Sequence, residues 1–194
     1  MWHSFTANSS FADDLRHLDE AAAVQVKAAC CPRCGGRMDR ADYPRKPRGG
    51  GIAAVLEQWV WRISLCCGRP GCRRRVTPPS VRFLGRRVYL GATLLVACLR
   101  ALTQPAPLET ATDSGVPKRT VERWLDWWQT TFATSAFFAA NAGRFVPPLE
   151  VARLPASLVA RFTPPAPGAR LAAALSFLAP ITTTSARARF LGTG

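Results

Sequence analysis

Histidine is nearly missing from this chain. Only His3 and His17 occur among the 194 residues, and both lie in the N-terminal segment. Their scarcity removes the side chain best suited to general-base work near neutral pH, and with it any Ser/His or Cys/His nucleophile. Carboxylates are also few. Twelve Asp and Glu stand against 26 Lys and Arg, and beyond residue 130 the only acid is Glu150. No long hydrophobic run is present: the longest, Tyr89 to Leu99, is about half of the ~20 residues a membrane-spanning helix needs. The N-terminus, Met1-Trp2-His3-Ser4-Phe5, has neither the basic nor the apolar stretch of a secretory signal. These absences together lead us to expect a cytoplasmic, nucleoid-associated protein without a membrane partner, and not an enzyme.

Positive charge is plentiful and uneven. The net charge is +14, made up of −2 over residues 1–30, +11 over 31–90 and +5 over 91–194. A local excess of this size concentrates phosphate-bearing partners and releases their counterions on binding. It surrounds the cysteines. There are seven: Cys30, Cys31, Cys34, Cys66, Cys67, Cys72 and Cys98. An odd number, in a chain expected to stay in a reducing compartment, argues against a disulfide framework.

Two close pairs of thiolates can hold one Zn²⁺ in a tetrahedron. Cys31-Pro32-Arg33-Cys34-Gly35 leaves two residues for the backbone to turn around a metal, with Gly35 allowing close approach. Cys67-Gly68-Arg69-Pro70-Gly71-Cys72 leaves four residues, bent by its glycines and proline. We expect Cys31, Cys34, Cys67 and Cys72 as the ligands of a single structural zinc. Cys30 and Cys66 sit beside them and could substitute; strand alternation decides which side chain faces the metal. A catalytic zinc would keep a coordination position open and a carboxylate nearby. Glu57 is the only glutamate of this segment, and no His-x-Glu pattern occurs.

The expected fold class is α+β, mostly α: a small β zinc ribbon flanked by an N-terminal helix and a C-terminal helical region. Residues 1–30 form the first part, with a helix over 9–29 capped by Ser10 and striped by Phe11, Leu15, Leu18, Ala22 and Val26. Its acidic first turns are placed to pack on the basic module. Residues 31–85 form the ribbon and its basic loop. Trp59 to Leu65 alternates as a strand does and runs into the second cysteine pair. Residues 86–146 form a helical domain, opening with a buried helix over Arg86–Thr103 in which Cys98 is a small core residue. Residues 147–194 hold Pro/Ala-rich short helices over 155–162 and 168–179, and a loose tail.

Leu108 to Trp124 has the layout of a helix-turn-helix. Ala111 is small where two helices would cross, Gly115 suits the turn, Val116 plugs the core and Pro117 opens the second helix. Val121, Trp124, Leu125 and Trp128 then share one face, leaving Lys118, Arg119, Glu122 and Arg123 on the other. Arg119 and Arg123 are suited to guanine edges and Lys118 to phosphate. Arg73, Arg74 and Arg75, with Arg82, Arg86 and Arg87, read as a patch that grips the backbone. Trp127, Phe132, Phe137 and Phe138 read as sealing the core or a homodimer face.

Cys-Pro-Arg-Cys-Gly at 31–35, the Cys67/Cys72 pair trailing into arginines, and Gly-Val-Pro-Lys-Arg-Thr-Val-Glu-Arg-Trp at 115–124 together resemble the N-terminal regions of bacterial insertion-sequence transposases and their accessory proteins. The resemblance covers roughly residues 31–130. It implies sequence-directed binding to the ends of a mobile element, and a transposase or recombinase as partner. The carboxylate triad that strand transfer requires is missing: Asp113, Glu122 and Asp126 fall on the DNA-binding motif itself. A DNA-binding accessory or regulatory factor is therefore expected. An RNA- or ribonucleoprotein-associated zinc ribbon, or an adaptor docking a catalytic partner through its tryptophan-rich helix, are the alternatives.

Overall fold

The computed structural model describes residues 9–45, 60–84, 89–103, 116–164 and 166–183. The chain is α+β with mostly helical content. The described residues run from α1 (Ser9–Ala28) through seven short strands: β1 (Met38–Arg40), β2 (Tyr43–Pro44), β3 (Trp61–Arg62), β4 (Leu65–Cys67), β5 (Arg75–Val76), β6 (Phe83–Leu84) and β7 (Tyr89–Leu90). The helical part follows with α2 (Gly91–Thr103), α3 (Lys118–Trp127), a π-helical turn (Trp128–Phe132), α4 (Ala136–Ala142), α5 (Ala156–Val159) and α6 (Pro167–Leu178). A 3₁₀ turn over Val151–Arg153 precedes α5, and another over Ala179–Thr182 follows α6.

β1, β4 and β5 make a three-stranded antiparallel sheet with β4 in the centre, while β2 pairs with β3 and β6 with β7. The expected strand over Trp59–Leu65 is interrupted. Residues 62–65 are all buried in succession, so the alternation breaks between β3 and β4. There the Asp42 carboxylate accepts the Ser64 backbone N–H at 3.1 Å, and the Ala41 N–H reaches the Ser64 carbonyl at 2.8 Å. A local bend thus replaces a continuous ladder.

The first helix begins at Ser9, placing Ser10 inside its first turn and not at the cap. Its buried face is Phe11, Ala12, Leu15, Asp19 and Ala23, whereas Leu18 is 40% exposed. The acidic contacts to the basic module come from Asp19 and Glu20 in mid-helix, while among the described residues Asp13 pairs with Arg16 of its own helix. The buried helix expected from Arg86 starts at Gly91, because Leu90 belongs to a strand; Gly91 through Leu99 are buried without a break. Cys98 is a fully buried free thiol, as its neighbours predicted, and burial pushes it up to about 12. The long tryptophan-rich helix is divided by the π turn at Trp128. The last helix, expected over 168–179, begins one residue earlier at Pro167.

One apolar core gathers side chains from Phe11 to Ile181. Leu15 of α1, Leu95 and Leu99 of α2, Trp128 and Phe132 of the π turn, and Leu171, Leu175 and Leu178 of α6 all enter it. Trp127, Phe137, Phe138 and Phe177 pack on its edge as tilted and edge-on aromatic pairs. The sheet around the cysteines has a separate, very small cluster of Cys31, Met38, Leu65 and Cys67.

A polar junction lies between the two. Asp19, 1% exposed, accepts hydrogen bonds at 2.7 Å from Ser80 Oγ, the Val81 N–H and Arg82 Nε. Arg82 is 3% exposed and also donates from Nη2 to the Trp61 carbonyl at 3.2 Å. Thr182 Oγ1 accepts the Ser80 N–H at 2.9 Å. Nearby Arg62, equally buried, donates to the Pro78 carbonyl at 2.6 Å, and burial pushes its guanidinium down to about 10. Nearer the surface, Arg40 holds Glu20 through two bonds of 2.6 and 2.8 Å and Asp42 through a third of 2.6 Å.

Removing one member of a buried ion pair strands the other without solvent. Asp19→Ala should therefore lower unfolding free energy by about 3–5 kcal/mol in urea denaturation. A loss under about 1 kcal/mol would show that Arg82 does not depend on this carboxylate. The Glu20 carboxyl is held below the usual range, first by its hydrogen bond to Arg40. Its stabilising contribution is present above the ordinary carboxylate pKa and disappears as pH falls through the depressed folded value. Because the pair is partly solvated, Glu20→Gln should cost at most about 1 kcal/mol at neutral pH, and that difference should vanish in acid.

Candidate metal centre

Each cysteine pair sits on a tight loop next to the three-stranded sheet. In the first loop the Gly35 N–H bonds the Cys31 carbonyl at 2.9 Å, and the Cys31 N–H bonds the Gly36 carbonyl at 2.9 Å. Gly35 takes φ 66°, a left-handed conformation that glycine reaches without steric cost. The second loop closes with the Cys72 N–H on the Arg69 carbonyl at 3.1 Å and the Cys67 N–H on the Arg74 carbonyl at 2.9 Å. Antiparallel pairing sets Met38 opposite Cys67, and the Gly68 N–H reaches the Arg37 carbonyl at 2.9 Å. Sheet register therefore presses the two loops together.

The result is four sulfur atoms, of Cys31, Cys34, Cys67 and Cys72, all within 4.8 Å of one another. Cys31 and Cys72 Sγ are 3.8 Å apart, and Cys34 and Cys67 Sγ are 3.5 Å apart. Four thiolates about 2.3 Å from a tetrahedral zinc stand about 3.8 Å from each other. The set thus has the spacing a metal ion such as zinc requires, and all four thiols are free. Gly36 lies directly under it: a Cβ there would come within 3.1 Å of Cys67 Sγ and 3.3 Å of Cys34 Sγ.

The sulfurs differ in acidity. The backbone N–H groups of Arg33 and then Cys34 draw the Cys31 thiol down to about 7, and that of Gly36 draws Cys34 down. Cys67 feels the Arg69 N–H, but burial and the neighbouring sulfurs outweigh it and push the thiol up to about 12. Four thiolates at this spacing repel one another; a divalent cation bound among them would offset their charge and hold all four deprotonated.

Cys30 and Cys66 take no part. Cys30 is exposed and left-handed at φ 59°, with its sulfur 3.7 Å from the Ala28 carbonyl. Cys66 alternates to the other side of β4, where its sulfur approaches the Arg73 carbonyl at 3.5 Å. Strand alternation separates it from Cys67.

Arg73, Arg74 and Arg75 are exposed immediately after Cys72. Arg82, expected in the same patch, is buried against Asp19 and has left the surface. Arg86 and Arg87 lie outside the described residues. Lys118, Arg119, Glu122 and Arg123 are exposed on α3, whose opposite side buries Val121 with Val116 and Ala97. Pro117 precedes α3 at its N-cap. Residues 104–115, which contain the expected first helix and turn of the motif, lie outside the described residues. Arg69, which no sequence pattern marks, belongs to this region: its Nη1 donates to the Cys34 carbonyl at 3.3 Å. Arg73 of the exposed patch holds a left-handed φ of 45° that costs a non-glycine residue about 1–2 kcal/mol.

Comparison with protein families, with curated proteins and with solved structures finds no match. Among the described residues, no helix is long and apolar enough to cross a membrane.

The folded protein should contain about one equivalent of divalent metal by elemental analysis, as a four-sulfur site implies. Cys34→Ser should lose it, whereas Cys30→Ser and Cys66→Ser should keep it. Acidification should release the ion as the thiolates take up protons.

Proposed function

We propose that the chain is a DNA-binding protein built around a structural zinc, in which the sheet and its cysteine loops act as a zinc ribbon and α3 as the recognition helix of a helix-turn-helix. The observation that carries this reading is the four-sulfur cluster with an exposed arginine run leaving its last ligand. Zinc held by four thiolates has no open coordination position, so its role is to supply folding free energy, not to activate water. A sheet whose own apolar cluster is only Cys31, Met38, Leu65 and Cys67 needs that contribution.

The division of labour follows from side-chain chemistry. Arg73, Arg74 and Arg75 neutralise phosphates, and Lys118 contributes a further phosphate contact. Arg119 lies in the first turn of α3, the end that meets base edges when such a helix enters the major groove, and Arg123 follows one turn on along the same exposed side. Their guanidinium groups match guanine O6 and N7. Lacking an acidic triad or a histidine-based nucleophile, the protein recruits or regulates a transposase or recombinase and does not cut DNA itself. This mobile-element role rests on the sequence resemblance alone. The burial of Trp128 and Phe132, with Trp127 packed beside them, favours DNA binding over an adaptor that docks through its tryptophans.

Arg119→Ala and Arg123→Ala should each cost about 1–3 kcal/mol on a selected duplex and relax discrimination between duplexes. Unchanged discrimination would overturn their reading role. Competition by RNA at fixed salt tests the partner: RNA displacing the selected duplex as well as DNA does would move the assignment to ribonucleoprotein.

A further inference from the structure

We propose that the tips of the two cysteine loops form a single phosphate-binding surface, made by Arg33, Arg69 and Arg73. The proposal rests on the DNA-binding reading above and adds to it the contact residues of the two cysteine loops. Arg33 lies between Cys31 and Cys34, Arg69 between Cys67 and Cys72, and Arg73 directly after Cys72. All three are exposed. They come from loops far apart in the chain, brought together where the sulfurs converge to within 4.8 Å. Arg69 spans the junction, since its Nη1 reaches the carbonyl of Cys34 in the opposite loop at 3.3 Å.

Charge around the site is unbalanced. Arg33 and Arg73 have no carboxylate partner among the described residues, and the one acid on β1 at this end, Asp39, already pairs with Arg37 at 3.0 Å. A divalent ion with four thiolates carries −2. Arg33, Arg37, Arg69, Arg73, Arg74 and Arg75 outweigh that and Asp39 together, leaving about +3 for a polyanion. Neutralising the thiolates alone would not require so many arginines.

Arg73 gives the second, independent observation. It occupies a left-handed backbone position at φ 45°, two residues after Gly71 does so at φ 79°. Glycine would fit there without strain, so placing a guanidinium at this loop tip costs about 1–2 kcal/mol of stability. Guanidinium groups on loop tips bind phosphate oxygens in pairs of hydrogen bonds and carry no sequence preference, so the ligand is the phosphodiester backbone of duplex DNA.

The test uses the full chain in its metal-loaded form and measures affinity for two duplexes of different sequence between 50 and 200 mM salt. Each phosphate contact contributes about 0.9 to the slope of log affinity against log salt. The triple variant Arg33→Ala/Arg69→Ala/Arg73→Ala should reduce that slope by about 2–3, equally on both duplexes. Arg73→Gly should keep its metal, melt about 2–4 °C higher through release of strain, and still lose about 1 unit of slope. An unchanged slope in the triple variant overturns the proposal. So does loss of metal from Arg73→Gly, which would mean that the arginine serves the sulfurs. If the wild type shows no preference between duplexes while the slope still falls, the surface stands and the sequence-reading role of α3 fails.

Discussion

A single buried carboxylate sets how the cysteine sheet sits on the helical body. Asp19 is withdrawn from water, so its charge must be met by hydrogen bonds, and it finds them on Ser80, Val81 and Arg82. Those three residues lie on the segment leading from the cysteine sheet to α2. Arg82 in turn reaches the Trp61 carbonyl on β3, while Glu20, one residue along α1, holds Arg40 on β1. The helix therefore reaches the three-stranded sheet through Glu20, the β2–β3 pair by way of Arg82, and the main core through Leu15. Apolar packing would allow these parts to slide; directional bonds to one carboxylate fix their orientation.

The small sheet depends on a different constraint. Four apolar side chains, two of them cysteines, cannot compensate the ordering of its loops by burial alone. The sulfur set gives the sheet its reason to close, and sheet register gives the sulfurs their spacing. Gly36 connects the two, since any larger residue would intrude on Cys34 and Cys67. Acidity within the set follows the same geometry: backbone N–H groups at the loop turns favour thiolate at Cys31, while depth in the cluster opposes it at Cys67.

Much of this was readable from spacing. The cysteine set emerged from short intervals with glycines beside them, and α1 and the exposed side of α3 from helical periodicity. Strand alternation along β4 turns Cys66 away while Cys67 faces inward. The pairing of Asp19 with Arg82 was not readable, because it joins residues 63 apart through tertiary packing and no local pattern marks it. For the same reason Arg82 looked like one more surface arginine beside Arg73–Arg75. The bend at Ile63–Ser64 was hidden because alternation looks the same whether a ladder continues or breaks. Division of the tryptophan-rich helix at Trp128 follows from packing, where Trp128 and Phe132 fill one aromatic cluster.

The hydrogen bond between Ser80 and Thr182 spans 102 positions. Together with the packing of α6 on α1, it bears on how the protein matures. During synthesis the first helix leaves the ribosome before the segments that share its core have been made: first residues 81–99, and last α6. All four clustered cysteines have emerged once Cys72 is made, well before α6. The sulfurs are thus available early and the interior is completed late, with the apolar side of α1 uncovered in the interval.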